Sequence, residues 1–585
     1  MTPATYRFGR FELQPGKREL LADGQPIVLG ARAFDVLNAL IERCERLVAK
    51  DELIDLVWPG LVVEENNLHV QVSALRKVLG QDAIATVPGR GYQFTLQVES
   101  AVPSQAALPL AKTTAPTTAQ VPSIAVLPFI NISDDAANEY FADGLSEQLI
   151  SVLSKIRGLR VAARSSAFTF KGKAATVAVV GEALHVATVL EGSVRKSGNR
   201  IRIAVQLVHV ATDRHLWSET YERTLEDIFA VQDEIAQSVL MELRSTLLGE
   251  AADAKAEQDA TAQVAAAVKG RGTNPEAYRL FLQARYFFDR HTREDWAKGI
   301  GYLKEALVRE PRFALAWAAL GRAYESQAGW GWAPFGEGNE QAREAVARAL
   351  ALEPDLPEGH TAMASMQMFH EWDFSGAEAS CRRALELMPE NPVVLRQAAW
   401  LASCMGRHEQ AIGFARRAVE QDPLSAWANV ILGIALRMAG RCAEAVTALR
   451  MSLELTPQRS STHATLSFCL LALGRVDEAL AEAMQEPEEA WRVHALAIIH
   501  QSAGRRAESD EALGELASKH ADVMACQVAS VHAMRGENDL AFEWLERACA
   551  QRDTSVVMTK VDPFLRSLHE DPRWNPFLRK IGLAD

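Results

Sequence analysis

The run Asn66-Asn-Leu-His-Val-Gln-Val-Ser-Ala-Leu-Arg-Lys-Val-Leu-Gly80 combines helical spacing with a terminal glycine. Apolar residues recur in it every three or four positions, which places their side chains on one face of a helix. A glycine just beyond such a pattern commonly ends the helix. The run therefore predicts a helix over residues 65–79 with one buried face. The residues of that face are Leu68, Val72, Leu75 and Leu79.

The sequence on both sides of this helix completes a small α+β domain. Residues 6–29 alternate apolar and polar positions and turn at Asp23-Gly24, which predicts short antiparallel strands. Two helices follow, the second over Lys50 to Trp58, and residues 84–94 predict a closing hairpin. The apolar face of the first helix comprises Phe34, Leu37, Leu40 and Ile41.

This order of sheet, three helices and hairpin resembles the DNA-binding domain of OmpR/PhoB-type transcriptional regulators, a winged helix-turn-helix. The matching motifs are Val57-Trp58, the L-R-K-V-L-G end of the run above and the hairpin V-P-G-R-G-Y-Q-F over 87–94. The resemblance covers nearly all of residues 6–98. It implies that the third helix enters the major groove and that the hairpin tip reaches the adjacent minor groove. Because five residues precede the first strand, we expect no built-in receiver domain.

The face of the third helix opposite its apolar stripe is the predicted DNA-reading surface. Amide side chains can bond base edges, small apolar groups can touch thymine methyls, and charged groups can bind phosphates. Arg76 and Lys77 could instead be a solvated helix end, and Arg90 could be an ordinary turn residue. The predicted contacts are Asn67, His69, Val70, Gln71, Ser73, Ala74, Arg76 and Lys77 on the helix and Arg90 at the hairpin tip.

The charge of the chain limits how strongly one such domain can bind. The 62 basic and 75 acidic residues give a net charge of −13, which argues against a protein that coats polyanions. Residues 66–98 hold three basic residues and one acidic residue, so few phosphates can be neutralised. We therefore expect a homodimer or tandem half-sites on double-stranded DNA. The alternative is an interaction scaffold in which the winged helix no longer reads DNA.

Composition divides the rest of the chain after the winged helix predicted in residues 1–100. Residues 101–122 are rich in Ala, Pro and Thr with a single charge, which predicts a linker. Residues 123–248 mix strand and helix patterns, and residues 249–273 are Ala-rich and charged, typical of a frayed helix or a loose spacer. Residues 274–585 are helical. The predicted fold is multidomain α+β: a winged helix, a small α/β domain and a C-terminal α-solenoid.

Prolines mark an internal repeat in residues 274–585. They recur at intervals of 43, 35, 34, 34 and 30 residues, with small residues at fixed offsets between them. This pattern resembles the tetratricopeptide repeat and implies seven or eight helical pairs ending near Arg552, with a C-terminal cap. A stack of such pairs has a concave groove, so we expect a protein or peptide ligand there. The prolines are Pro311, Pro354, Pro389, Pro423, Pro457 and Pro487.

The middle region carries a second resemblance but no catalytic pattern. Its motifs Val126-Leu-Pro-Phe and Leu190-Glu-Gly-Ser-Val-Arg resemble the TolB-N-terminal-like α/β domain found beside tetratricopeptide repeats in bacterial regulators. Ser193-Val-Arg-Lys196 matches S-x-x-K, but it lies in a predicted strand rather than at a helix start. We expect no catalytic residues, metal ligands or cofactor, and therefore no enzyme. An enzyme with an unrecognised site in this region is the alternative.

Targeting signals are absent from the sequence. The sequence contains no run of 18 apolar residues that could span a membrane. Its seven scattered cysteines form no C-x-x-C pair. We therefore expect a cytoplasmic bacterial transcriptional regulator that does not contact the membrane and receives its signal through the C-terminal regions. In the OmpR/PhoB family the loop corresponding to Trp58 to Glu64 can face RNA polymerase. The resemblance thus adds RNA polymerase as a candidate partner, with helix-capping acids as the alternative.

Overall fold

A computed structural model shows two compact units, Met1–Thr117 and Thr118–Asp585. Their boundary falls inside the segment 101–122 that the composition predicts to be a linker. The residues that the structure describes are 5–8, 11–14, 19–22, 25–27, 31–41, 43, 48–57, 72, 75–76, 78–79, 83–87, 91–96, 99–101, 122–133, 138–156, 158–245, 254–288, 292–329 and 332–584.

Two antiparallel sheets frame the helices of the N-terminal unit. The first sheet has the order β4-β3-β2-β1-β8, and its strands are β1 Thr5–Phe8, β2 Phe11–Gln14, β3 Glu19–Ala22, β4 Gln25–Ile27 and β8 Glu99–Ala101. The second has the order β5-β7-β6, and its strands are β5 Val48–Ala49, β6 Ile84–Val87 and β7 Gly91–Phe94. The helices whose ends lie in the described residues are α1 Ala31–Ile41 and α2 Lys50–Val57, and the described residues 72, 75–76 and 78–79 belong to a third helix.

The apolar positions predicted from spacing form the core of this unit. The four predicted core residues of α1 are all buried, which confirms its inward face. The ring of Phe8 in β1 meets the ring of Phe94 in β7 edge-on, with centroids 5.2 Å apart. The first sheet and the closing hairpin therefore share one apolar core.

A mixed sheet begins the C-terminal unit. Its order is β11-β9-β12-β13-β14, with β10 beside β12; β9 is parallel to β11 and β12, whereas β12, β13 and β14 are antiparallel. The hairpin around Ser197-Gly-Asn lies where the sequence predicts it. The strands are β9 Ser123–Val126, β10 Ile130–Asn131, β11 Arg160–Val161, β12 Thr188–Ser197, β13 Arg200–His209 and β14 Arg214–Thr224.

In the described part of residues 122–267, five helices cover this sheet or lead away from it. They are α3 Glu139–Ser154, α4 Arg164–Ala167, α5 Val177–Leu184, α6 Ile228–Leu243 and α7 Ala254–Ala267. Helix α7 belongs to the segment 249–273, for which the sequence allowed either a frayed helix or a loose spacer. Its residues Ala260, Val264 and Ala267 are buried, and it contacts α3 and α6. The described part of the spacer is therefore a packed helix.

Eight antiparallel helical pairs follow within the described residues, consistent with the predicted tetratricopeptide period. Each proline of the repeat lies two or three residues after the end of a second helix, because proline cannot continue that helix. The pairs are Pro275–Phe288 with Arg293–Arg309, Ala314–Gly329 with Phe335–Leu352, Pro357–Met366 with Phe374–Leu387, Pro392–Cys404 with His408–Gln421, Ala426–Met438 with Cys442–Leu455, Thr462–Ala472 with Val476–Met484, Glu489–Ser502 with Arg506–Lys519, and Ala525–Met534 with Asn538–Gln551.

Small residues set the geometry of each pair. Gly406 and Gly440 follow first helices with φ values of 75° and 74°, a left-handed conformation that glycine adopts without strain. A Cβ atom on Gly433 would lie 2.6 Å from the side chain of Leu449, so the two helices of the fifth pair approach at a glycine. First helices of neighbouring pairs contact each other more than second helices do. The first helices therefore form the concave side of the repeat region.

Candidate nucleic-acid interface and the concave side of the repeats

The described part of the third helix of the winged domain contributes three side chains to the core. Val72, Leu75 and Leu79 are 1%, 0% and 8% exposed and pack with α1 and α2. Their burial supports the predicted orientation of the helix, in which the opposite face is available to DNA. The predicted contacts outside the described residues are Asn67, His69, Val70, Gln71, Ser73, Ala74, Lys77 and Arg90. The loop Trp58 to Glu64, the candidate RNA polymerase contact, also lies outside them.

Arg76 is the predicted DNA contact that the structure does describe. Its Nε and Nη2 atoms donate hydrogen bonds to the carbonyl oxygen of Ile84, at 3.1 and 2.6 Å. Ile84 begins strand β6, so this guanidinium connects the third helix to the closing hairpin. Sequence reasoning assigned Arg76 to a phosphate and did not foresee this structural contact. Phosphate binding by Arg76 stays a prediction.

The base of the closing hairpin is fixed by a close backbone approach at Gly91. Strand β7 pairs with β5, and Gly91 lies opposite Ala49. A Cβ atom at Gly91 would lie 2.0 Å from the carbonyl oxygen of Val48, a distance that no side chain tolerates. Glycine is therefore required where the hairpin meets the strand that leads into α2. This contact fixes β7, the strand that follows the predicted DNA-contacting tip.

The α/β part of the C-terminal unit docks on the repeats through polar contacts. The Oγ atom of Ser166 in α4 donates to Asp422 Oδ1 at 2.6 Å and accepts the N–H of Leu424 at 2.9 Å. Ser165 also donates to the Asp422 carboxylate, which is fully buried. The Arg160 guanidinium donates to the carbonyl oxygen of Glu420 at 2.9 Å. Helix α4 is thereby fixed to the turn between the fourth and fifth helical pairs.

An apolar core also joins the two parts. It extends from the mixed sheet through α3, α6 and α7 into the first three helical pairs. At this boundary the Gln232 side-chain amide in α6 donates to the hydroxyl of Tyr278 at 2.7 Å, and both groups are buried. Residues 118–585 are accordingly one compact unit, although composition and pattern suggest separate α/β and repeat domains.

The C-terminal tail crosses the concave side. Its short helical segments Thr554–Met558 and Pro563–Leu568 contact the turn Gln367–Glu371 after the first helix of the third pair, the first helix of the fourth pair and both helices of the eighth pair. The Arg437 guanidinium lies 5.2 Å from the Phe468 ring and 4.8 Å from the Phe564 ring, and its Nη2 atom is 3.6 Å from Asp562 Oδ1. The tail thus occupies part of the groove in which the sequence predicts a partner.

The rejected S-x-x-K motif lies in strand β12, as the pattern predicts. Ser193 pairs with Ala204 and Lys196 with Ile201, and their odd spacing points the two side chains to opposite faces of the sheet. The described part of the chain contains no group of three or more His, Cys, Asp and Glu residues that could hold a metal ion. It also contains no helix long and apolar enough to cross a membrane.

Comparison with known families identifies the first two parts of the chain. Residues 24–94 match the family described as transcriptional regulatory protein, C terminal. Residues 119–238 match the second domain of HilA/YgeH-like transcriptional regulators. Both matches are to regulators of transcription. The first coincides with the winged domain, and the second covers most of the mixed sheet and its helices.

Individual relatives resemble parts of the chain. A Rhizobium meliloti protein with the printed name "Putative adenylate cyclase 3" is 42% identical over 200 residues, 34% of this chain and 32% of its own length. The Pseudomonas aeruginosa phosphate regulon regulatory protein PhoB is 33% identical over 96 residues, 16% of this chain and 42% of its own. The chain therefore spans less than half the length of either relative.

Among solved structures, a tetratricopeptide repeat protein from Parabacteroides merdae aligns with 46% of this chain and all of its own, at 14% identity and a TM-score of 0.34.

These findings define a protein with the DNA-binding domain of a transcriptional regulator. Its winged helix-turn-helix is of the OmpR/PhoB type, and a HilA/YgeH-like α/β domain and tetratricopeptide repeats follow it.

Proposed function

We propose that the chain is a bacterial transcriptional regulator that reads double-stranded DNA with the third helix and hairpin tip of its winged domain. The observation that supports this most directly is the burial of Val72, Leu75 and Leu79 within a domain of the matched regulator family. The proposed contacts are Asn67, His69, Val70, Gln71, Ser73, Ala74, Arg76, Lys77 and Arg90. We propose that the chain acts in the cytoplasm, where promoter DNA is found, and that it binds as a homodimer and contacts RNA polymerase.

Input to the regulator would come through the C-terminal unit. We propose that a protein or peptide partner binds the first-helix face of the repeats and so controls promoter occupancy. A partner entering from the concave side would meet the C-terminal tail, which contacts the third, fourth and eighth pairs there. Partner binding and tail position would therefore be linked. Deletion of 274–585 should change the promoter response, and an unchanged response would refute this input mechanism.

We also propose that the chain regulates without catalysis. Both matched families are transcriptional regulators, and the relative named as an adenylate cyclase shares 32% of its own length with this chain. Incubation of the full chain with ATP should yield no cyclic AMP. Cyclic AMP formation at a saturable rate would support the alternative that the chain is an enzyme. The scaffold alternative differs in predicting normal folding without DNA binding.

Selection from a pool of genomic DNA fragments tests the DNA-reading proposal. The full chain should enrich a few fragments, and the double variant Gln71→Ala with Arg90→Ala should lose that enrichment. Arg202→Ala is the matched control, because it removes a charge from an exposed pair with Glu222 on the other unit. Equal enrichment by all three proteins would contradict the proposed contacts, whereas enrichment by none would favour the scaffold.

A further inference from the structure

A partly buried arginine on the concave side lacks an adequate partner. Arg396 lies in the first helix of the fourth pair, and its side chain is 17% exposed. Its Nε atom is buried and makes no hydrogen bond. The nearest carboxylate oxygen, Asp422 Oδ2, is 3.9 Å from Nη1, too far for a hydrogen bond. Ser165 and Ser166 already donate to that carboxylate, so Asp422 compensates the arginine only in part.

Two further arginines repel the charge of Arg396: Arg322, an exposed residue in the first helix of the second pair, and Arg459, which follows the fifth pair. Burial, together with repulsion from Arg322 and Arg459, lowers the pKa of the Arg396 guanidinium to about 10. The guanidinium of Arg459 lies 4.4 Å from the ring centroid of Trp427, and its Nε atom is also buried without a hydrogen bond. Within the described residues, Arg322 and Arg459 have no carboxylate within ion-pair distance. We refer to Arg322, Arg396 and Arg459 as the arginine cluster.

The carboxylates around Arg322 are already paired with other groups. Glu147 contacts Arg285, and its Oε1 atom is 3.2 Å from Arg164 Nε. Glu358 Oε1 is 3.1 Å from Lys155 Nζ.

Glu325, the third of these carboxylates, accepts a hydrogen bond from Ser365 and lies 3.7 Å from His370. With Asp422, four carboxylates thus face six lysine and arginine side chains. Among these ten side chains the positive charges exceed the negative charges by two, in a chain whose net charge is −13.

We propose that the arginine cluster binds a small dianion with phosphate or carboxylate groups on the concave side of the second to sixth helical pairs. Guanidinium groups bind such planar or tetrahedral oxyanions through paired N–H donors. The Nε1 atom of Trp400 is another buried donor without an acceptor, and its ring is near that of Trp427, with centroids 6.5 Å apart. The two indoles would form an apolar wall beside the bound anion.

Neighbouring elements limit the space beside Arg396 and so favour a small molecule over a peptide chain. Helix α4 covers Asp422, the carboxylate nearest to Arg396, and the tail occupies other parts of the concave side. A dianion would offset the positive excess and draw α4 and the repeats together. The binding does not depend on the winged domain. Its effect on promoter occupancy, by contrast, rests on the proposed function.

Calorimetric titration of the full chain with inorganic phosphate and, separately, with succinate tests the site and distinguishes the two anion types. We expect saturable binding of at least one anion, measured against potassium chloride of equal ionic strength. Arg396→Gln and Arg459→Gln should each weaken it at least tenfold. Arg202→Gln, an exposed charge on β13, should leave it unchanged.

Thermal unfolding without anion separates loss of binding from loss of folding. Because the cluster is self-repulsive, Arg459→Gln should unfold at the same or a higher temperature than the wild type. Absence of saturable binding of both anions, or equal binding by Arg459→Gln and Arg202→Gln, would overturn the proposal. DNA selection on the same samples distinguishes the two failures: anion binding without DNA binding refutes the proposed function, whereas DNA binding without anion binding refutes the site.

Discussion

Ser166→Ala should destabilise the C-terminal unit by about 3 kcal/mol, because it removes both hydrogen bonds of one buried hydroxyl. The bond to the Asp422 carboxylate is charge-assisted and contributes about 1.5–3 kcal/mol, and the Leu424 N–H left without a partner costs about 1–3 kcal/mol. The side chain is fully buried, so water cannot replace the lost donor and acceptor. Ser165→Ala is the matched control, because that serine donates to the same carboxylate from an exposed position.

Urea unfolding of the full chain, followed by tryptophan fluorescence, measures this effect. Eleven of the 12 tryptophans lie after residue 118, so the signal reports mainly on the C-terminal unit. Ser166→Ala should lower the free energy of unfolding by about twice the loss in Ser165→Ala, which removes a single charge-assisted bond and should cost about 1.5 kcal/mol. Equal losses in the two variants would refute the claim that α4 is fixed to the repeats through Asp422.

Three other perturbations test separate parts of the structure. Gly91→Ala would place Cβ against the Val48 carbonyl oxygen and should cost about 2 kcal/mol or more in thermal unfolding of the winged domain. Gly198→Ala is the control: a Cβ atom there would have no atom within 4 Å, and the substitution should cost about 1 kcal/mol. Equal costs would contradict the close approach. Phe564→Ala should free the tail and speed its limited proteolysis at least tenfold relative to Leu540→Ala, an exposed control; equal cleavage would contradict tail docking. Burial lowers the pKa of His494 from 6.5 to about 3, so the folded state requires the neutral ring. The free energy of unfolding should therefore fall by at most about 1.4 kcal/mol per pH unit as the pH drops below 6.5. Urea midpoints between pH 7 and 5 should show this loss, and His494→Gln should reduce it; an unchanged slope would exclude His494.

Local periodicity was sufficient to predict α1, α2, most strands of the winged domain and the helices of the repeats, but not the short strands β5 and β8. Phe34 and Leu37 on α1, and Leu75 on the third helix, are buried because their spacing matches the helical period. Strand β14, by contrast, was not predicted. Only Tyr221 of its residues is buried, so its sequence lacks the apolar alternation that marks a half-buried strand.

Contacts between distant segments could not be predicted from the sequence. Ser166 and Asp422 are separated by 256 positions, and no local motif marks either residue. In the sequence, Arg437 has the pattern of an ordinary helix-surface residue. In the structure, its guanidinium contacts the rings of Phe468 and Phe564. The arginine cluster has the same origin, since its members belong to separate helical pairs and come near one another only when the pairs stack. Spacing identifies helices, whereas these sites depend on how the helices stack.

The salt dependence of DNA binding tests the central claim most directly. Residues 66–98 hold Arg76, Lys77 and Arg90, so one copy can neutralise at most about three phosphates from this region. At about 0.9 per phosphate, log K against log salt should then have a slope no steeper than about −2.7 for one copy and −5.4 for a dimer. For the full chain on its selected fragment we predict a slope within this range, reduced by about 1 per copy in Arg90→Ala. A slope near zero, or one identical in the wild type and Arg90→Ala, would contradict the assignment of this surface to DNA.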